Sequence, residues 1–516
     1  MPAPRRRALA AVVATAALAL GGALTTAPLA QAEPAPAFGT PEHQAHDAQN
    51  IADAYGRITG PGGQLRNPAY LPALVQQSTI ITVRQLVAQA ANPLRPALTP
   101  GMAVPGWNIG NPLRVGWERT RGRMRDVAFT NRFGALLRGT VYAPRRGARD
   151  PYTGARLRAP YPGVVITTGS VQGSENMYRW LAQDLAERGY VVLTYDVQGQ
   201  GRSETLPHTT GTALPFCDLF GQPEGQESDG TQETTPCPGV PFQQLSNFTT
   251  GTVDAMDFFV SRPGAPYANP RSAEADVDRV NPYWRLWDRS PDPRPATPGR
   301  TTRLAIAGHS MGARAVSYVQ GYDERVAAVV ALDKLSGPDA DGALGGQGVK
   351  PRVPALALQA EYGFTVAPSF LAGDSIQPTP SPDGPDPMRE RRTGYDAWRT
   401  AGVDAMLVVG RATTHLDYTD VPLVLPASRY GQALSSVYTQ AWLDRYLKHD
   451  RRDRRLLRPR MRYLEPTGHG RWTPVTLRRP ALLSTYYCSA YGFRSGPRQG
   501  RVRTDGDWAG LGGCPR

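Results

Sequence analysis

From Arg123 onward the spacing of apolar and polar residues changes period in an ordered way. Arg123-Met-Arg-Asp-Val-Ala-Phe129 and Leu136-Leu-Arg-Gly-Thr-Val-Tyr142 show the two-residue alternation of half-buried strands, with turn residues Thr130-Asn-Arg-Phe-Gly134 between them. This predicts an opening antiparallel hairpin. Tyr161–Thr168 is then a continuous apolar run, Met177–Arg188 has apolar residues at helical spacing and stops at Gly189, and Tyr190–Tyr195 is apolar again. An unbroken apolar strand is one buried on both faces, so the unit reads as βαβ. The unit recurs as a helix over Leu245–Val260, a strand over Leu304–Ala307, a helix from Ala313 and a strand over Val326–Leu332. Strands over Ala355–Gln359 and Ala405–Val409 and a last helix over Leu434–Lys448 follow. Strands alternating with helices imply an α/β fold, a mostly parallel sheet with helices on both faces. Ligands of such sheets sit beyond the carboxyl ends of the strands.

The flanks have other patterns. Residues 1–32 read as a signal peptide: Arg5, Arg6 and Arg7 precede an apolar run from Ala8 to Leu20, and Ala30-Gln-Ala32 offers a small-residue cleavage site. A secreted protein is therefore expected, and no later segment has the ~20 apolar residues of a membrane span. Residues 33–120 form an N-terminal extension with one helical piece, Leu71–Ala91, and residues 451–516 an arginine-rich C-terminal tail; residues 121–450 are the expected catalytic domain. Three long interruptions, Glu204–Pro241, Asn281–Pro298 and Pro368–Arg392, break the alternation. Cys217, Cys237, Cys488 and Cys514 make an even set in an exported chain, which predicts two disulfides, with the local pairing 217 to 237 and 488 to 514 favoured. No pair has zinc-ligand spacing, and no metal or cofactor is expected.

The formal charge is +14, almost all of it from arginine, since Lys334, Lys350 and Lys448 are the only lysines. The arginines are scattered and no aromatic-interleaved basic motif occurs, so nucleic-acid binding is not expected; weak attraction to anionic surfaces is.

The chemistry centres on Arg303-Leu-Ala-Ile-Ala-Gly-His-Ser-Met-Gly-Ala-Arg314. An apolar strand breaks into Gly308-His-Ser-Met-Gly312 and resumes as a helix. A bend of this kind strains the residue at its apex and exposes its side chain, and the flanking glycines let neighbouring backbone approach, which nominates Ser310 as a nucleophile. Its base should be a rim histidine. His415 follows the Ala405–Val409 strand, whereas His309 is expected to point away from the site, and it and the remaining histidines read as surface residues. The carboxylate that orients the base should lie between Ser310 and His415 in the chain. Glu361, after the Ala355–Gln359 strand, is preferred; Asp333, ending the preceding strand, is the alternative; Asp417 is too near His415 in sequence. Backbone N–H groups of Met311 and of Ser170, after Thr168-Gly169, are expected to form the oxyanion hole.

Several separated motifs now agree with one family. Gly308-His-Ser-Met-Gly312 matches a nucleophile elbow, Asp196-Val-Gln-Gly-Gln-Gly-Arg-Ser203 resembles an Asp-x-x-Gly-x-Gly-x-Ser turn, and Thr414-His-Leu-Asp417 resembles a histidine loop. The stretch from about Arg123 to Lys448 resembles the α/β-hydrolases, particularly secreted bacterial esterases of the dienelactone-hydrolase-like and polyester-hydrolase-like branches. The resemblance implies a serine hydrolase without cofactor, acting on a small or polymeric carboxylic ester. Polyester hydrolases carry an aspartate two residues beyond the place of Glu361, where this chain has Gly363, so both acids stay open. A peptidase or amidase on the same fold, and a non-catalytic surface-binding protein, are the other readings.

Overall fold

The Val-, Leu- and Ala-rich runs form the predicted strands. The computed structural model describes residues 36–91, 109–170, 173–204, 245–272, 276–290, 303–338, 348–420, 428–450, 456, 458–494 and 502–507. The expected leader, nearly all of the Glu204–Pro241 loop, part of Asn281–Pro298, and Cys217, Cys237 and Cys514 lie outside these residues. No described helix is long and apolar enough to cross a membrane.

A ten-stranded sheet runs in the order β1-β2-β4-β3-β5-β6-β7-β8-β11-β12. The strands are β1 Gly122–Thr130, β2 Leu136–Pro144, β3 Gly163–Thr167, β4 Val191–Tyr195, β5 Leu304–His309, β6 Ala328–Leu332, β7 Ala355–Ala360, β8 Ala405–Gly410, β11 Ala490–Arg494 and β12 Val502–Asp507. β9 (Arg460–Gly468) and β10 (Arg471–Arg478) form a separate antiparallel hairpin. β1 and β2 pair antiparallel, as the sequence predicts, and β2 joins β4 antiparallel. From β4 through β3, β5, β6 and β7 to β8 every pairing is parallel. The strand order turns back at β3, which places a topological switch beside β5.

Successive residues of the central strands serve opposite cores. Leu304 and Ile306 of β5 and Val329 and Ala331 of β6 pack with Phe258, Phe259, Val316 and Val319. Ala305, Ala307, Val330 and Leu332 pack on the other face with Trp180, Leu181, Tyr438 and Trp442. Those partners come from helices α4 (Leu245–Val260) and α5 (Met311–Val319) on one face and α3 (Arg179–Glu187) and α6 (Arg429–Leu447) on the other. Each fully buried aliphatic side chain contributes roughly 1.5–3 kcal/mol of transfer free energy, so the doubly covered strands are the firmest part of the fold.

The flanks are more integrated than their patterns suggest. The extension contains α1 (Pro41–Thr59) as well as α2 (Tyr70–Ala91). The arginine-rich tail enters the main sheet, with β11 pairing antiparallel to β8. Cys488, in that tail, is buried.

Candidate active site

β5 ends at His309, and the next residue, Ser310, adopts φ 55° and ψ −122° before α5 begins at Met311. A non-glycine residue there lies outside the ordinary backbone regions, at a cost of order 1–3 kcal/mol. Two hydrogen bonds hold the bend: Ser310 N–H donates to Leu332 O (2.9 Å), and Arg314 N–H donates to Ser310 O (3.1 Å). The glycines of the motif are sterically required. A Cβ on Gly308 would lie 2.2 Å from Gly312 O, and one on Gly312 would lie 2.4 Å from Thr168 O. Side chains at these positions would push β5, α5 and the end of β3 apart.

The histidine loop follows β8. His415 is buried, its N–H donates to Gly363 O (3.0 Å), and its ring packs at 4.5 Å on His309 and at 4.7 Å, edge to face, on Phe364. His415 Nδ1 lies 2.6 Å from Asp333 Oδ2. The second oxygen of Asp333 accepts the Ala360 N–H at 3.2 Å. Burial opposes ionisation of Asp333, but Lys334 and the hydrogen bond from His415 outweigh it and hold the carboxyl below its ordinary range. A carboxylate can only accept, so Nδ1 carries the proton and a neutral His415 keeps its lone pair on Nε2. Lys334 is itself fixed by both oxygens of Glu390, at 2.8 and 2.7 Å.

The preferred acid of the sequence reading is engaged elsewhere. Glu361 Oε2 accepts from Asn50 Nδ2 (2.5 Å) and Ala412 N–H (2.6 Å), and Oε1 accepts from Ser484 Oγ (2.6 Å). It ties α1, the start of the histidine loop and the C-terminal segment together, and the structure pairs His415 with Asp333 instead. The physical reason is strand position: β6 neighbours β5, so the residue ending β6 is set beside the elbow. Asp417 caps its own loop, accepting from Thr414 N–H (2.7 Å) and Ser428 Oγ (2.7 Å).

The loop after β3 abuts the elbow. A Cβ on Gly169 would come within 3.1 Å of Ser310 Cβ. The N–H of Gly169 is taken by the Tyr178 hydroxyl at 2.9 Å, which leaves the next amide, that of Ser170, as this loop's candidate donor. Met311 N–H belongs to the first turn of α5, where amides lack an intrahelical acceptor. Gln200, in the Asp196–Ser203 turn, clamps the same loop from behind, donating to Gly169 O (3.0 Å) and accepting from Gly173 N–H (3.0 Å).

His309 corrects the expectation of a surface residue. It is buried, with Nδ1 at 2.8 Å from Tyr178 Oη and Nε2 at 2.9 Å from His415 O. A carbonyl can only accept, so Nε2 is the donor and Nδ1 accepts the tyrosine proton. Burial, and then the neighbouring His415, push its pKa down to about 3, so the ring is neutral. The chain Gly169 N–H to Tyr178 to His309 to His415 O joins the oxyanion-loop candidate to the histidine loop. Sequence reasoning missed Tyr178, Gln200 and Phe364; the position of Gln200 inside a glycine-rich turn was the only available signal. His43, also read as a surface histidine, is buried under the Pro368–Arg392 segment, near Ser369.

Among the described residues no group of three His, Cys, Asp or Glu is placed to hold a metal ion. Comparison with known proteins gives limited likeness. No family model matches the chain. An uncharacterized protein of Pseudomonas aeruginosa is 28% identical over 122 residues, which are 23% of this chain and 30% of that protein. A ferulic acid esterase structure from Streptomyces cinnamoneus aligns with 63% of this chain and 89% of its own, at a TM-score of 0.36 and 18% identity.

Proposed function

We propose that this protein is a secreted serine hydrolase of the α/β-hydrolase type that cleaves carboxylic esters through an acyl-enzyme on Ser310. The observation that carries the reading is the buried 2.6 Å bond between His415 and Asp333 beside a strained serine. Ser310 Oγ attacks the ester carbonyl while its proton passes to His415 Nε2, and Asp333 stabilises the imidazolium. The oxyanion takes the N–H groups of Met311 and Ser170, favoured by the positive end of α5. Collapse breaks the acyl–oxygen bond, and His415 returns the proton to the departing alcohol. Water then repeats the sequence, giving the acid and free Ser310. The exposed ring of Phe364 against His415 supports a substrate with an apolar part. Export through residues 1–32 and disulfides from Cys217 to Cys237 and Cys488 to Cys514 belong to the same proposal.

The test is purified mature protein with a p-nitrophenyl acyl ester and a fluorophosphonate probe. Wild type should turn over the ester and be labelled at Ser310, and Ser310→Ala should do neither. Undiminished hydrolysis by Ser310→Ala would overturn the assignment.

A further inference from the structure

A cavity open to solvent lies at the opposite rim of the sheet from Ser310. Its volume is about 310 Å³, and its lining includes Tyr152, Gln440, Asp444 and five arginines, Arg188, Arg458, Arg460, Arg462 and Arg479. Arg188 caps the end of α3 just before β4, at the amino ends of the parallel strands, whereas the catalytic candidates follow the carboxyl ends. The two sites share no residue.

The charge of this cavity is not balanced from within. Arg188 is neutralised, pairing with Asp150 and Asp444, and Asp444 also binds Lys448 at 2.9 Å. Arg479 is buried, donates to Leu456 O at 2.5 Å and stacks on Tyr438. Arg458, Arg460 and Arg462 are exposed, and among the described residues no carboxylate pairs with them. Arg460 and Arg462 share a face of β9, and Arg460 stands directly opposite Arg478 of β10. Like charges facing each other across a hairpin are destabilising, so this arrangement has a cost that a bound anion would remove.

We infer that this cavity is a binding site for a ligand carrying two or more linked phosphoryl groups. Guanidinium groups match phosphate oxygens as two-pronged donors. A single phosphoryl group carries about −1.5 to −2 charge, so two are needed to balance three arginines. The volume is at the lower end of the roughly 300–1,000 Å³ of small-molecule sites, which suits a diphosphate.

Inorganic pyrophosphate titrated into the full chain by calorimetry, at about 0.15 M salt where long-range attraction is screened, tests this. Saturable binding of one pyrophosphate per chain is expected, tighter than orthophosphate. The triple variant Arg458→Gln, Arg460→Gln, Arg462→Gln should weaken it at least tenfold, with ester turnover unchanged and the unfolding temperature of the free protein no lower, since the Arg460–Arg478 repulsion is relieved. A control removing three exposed arginines on other surfaces, Arg125→Gln, Arg262→Gln, Arg285→Gln, should bind as wild type does. Absence of saturable binding, equal affinity in the cavity variant, or equal weakening by the control would each overturn the site.

Discussion

His309 gives the sharpest quantitative consequence of the structure. At pH 7 it is neutral in the folded protein and mostly neutral in the unfolded chain, so it carries little linkage penalty. Below its ordinary value of 6.5 the unfolded chain takes up a proton, whereas the folded protein refuses it until about pH 3. Stability must therefore fall as pH falls across that window, by about 1.4 kcal/mol per pH unit. The refusal has a geometric cause beyond burial. A protonated ring would present a donor at Nδ1 to a tyrosine oxygen that already accepts the Gly169 N–H, leaving the tyrosine proton without its acceptor. Between pH 7 and pH 4.5 the expected loss from this one residue is about 3 kcal/mol. Urea unfolding of wild type and of His309→Gln at both pH values isolates it, because other titrating groups are common to both proteins and cancel. His309→Gln, which keeps a donor toward His415 O, should be less stable at pH 7 but should lose about 3 kcal/mol less on acidification. Equal losses in the two proteins would refute the buried neutral histidine and the hydrogen-bond chain built on it.

The other expectations concern catalysis and its scaffold. Asp333→Asn should lower kcat on an acyl ester by about 10³–10⁴, the scale seen when a triad histidine is held in the wrong tautomer, while Glu361→Gln should keep kcat within a few-fold and lose about 1–3 kcal/mol of stability from its buried bonds. The reverse ranking in steady-state kinetics would return Glu361 to the role of orienting acid. Gly169→Ala places a Cβ 2.8 Å from His309 Nδ1 and 3.0 Å from Tyr178 Oη, so the oxyanion loop must shift. A fall of about 10²-fold in kcat with little change in KM is expected, and an unchanged kcat would remove this loop from the oxyanion hole.

Most of the fold was legible because the central strands are buried on both faces. Runs such as Leu304–Ala307 and Ala405–Val409 have one reading at that length, and the observed strands extend them by only a residue or two. The elbow was legible for the same kind of reason, since Gly308 and Gly312 are demanded by local backbone contacts. The carboxylate that pairs with His415 was not, because the choice between Asp333 and Glu361 depends on which strand lies beside β5, a fact of sheet order that no local pattern encodes. α1 escaped notice because its buried positions, apart from Ala54, are polar: His43, Asp47 and Asn50. Its contacts are hydrogen bonds to Ser369, Tyr486, Glu361 and Tyr362, and hydrophobic periodicity is blind to them. The tail was read only by its arginine content, although exposed Arg460 and Arg462 alternate with buried Met461 and Tyr463 along β9 in the two-residue period of a half-buried strand.

Glu361 bears on the order in which the molecule can be completed. One of its bonds closes 311 residues of chain back to Asn50 and another reaches 123 residues forward to Ser484, while a third holds Ala412 in the loop that carries His415. A chain emerging from synthesis amino end first has Ser310, Asp333 and His415 long before it has Ser484. The last of the bonds that fix Glu361 closes only when Ser484 arrives. Glu361, on this geometry, has all its partners only in a chain that includes Ser484, and a fragment that stops short of that residue leaves Oε1 of the anchor without its hydroxyl donor.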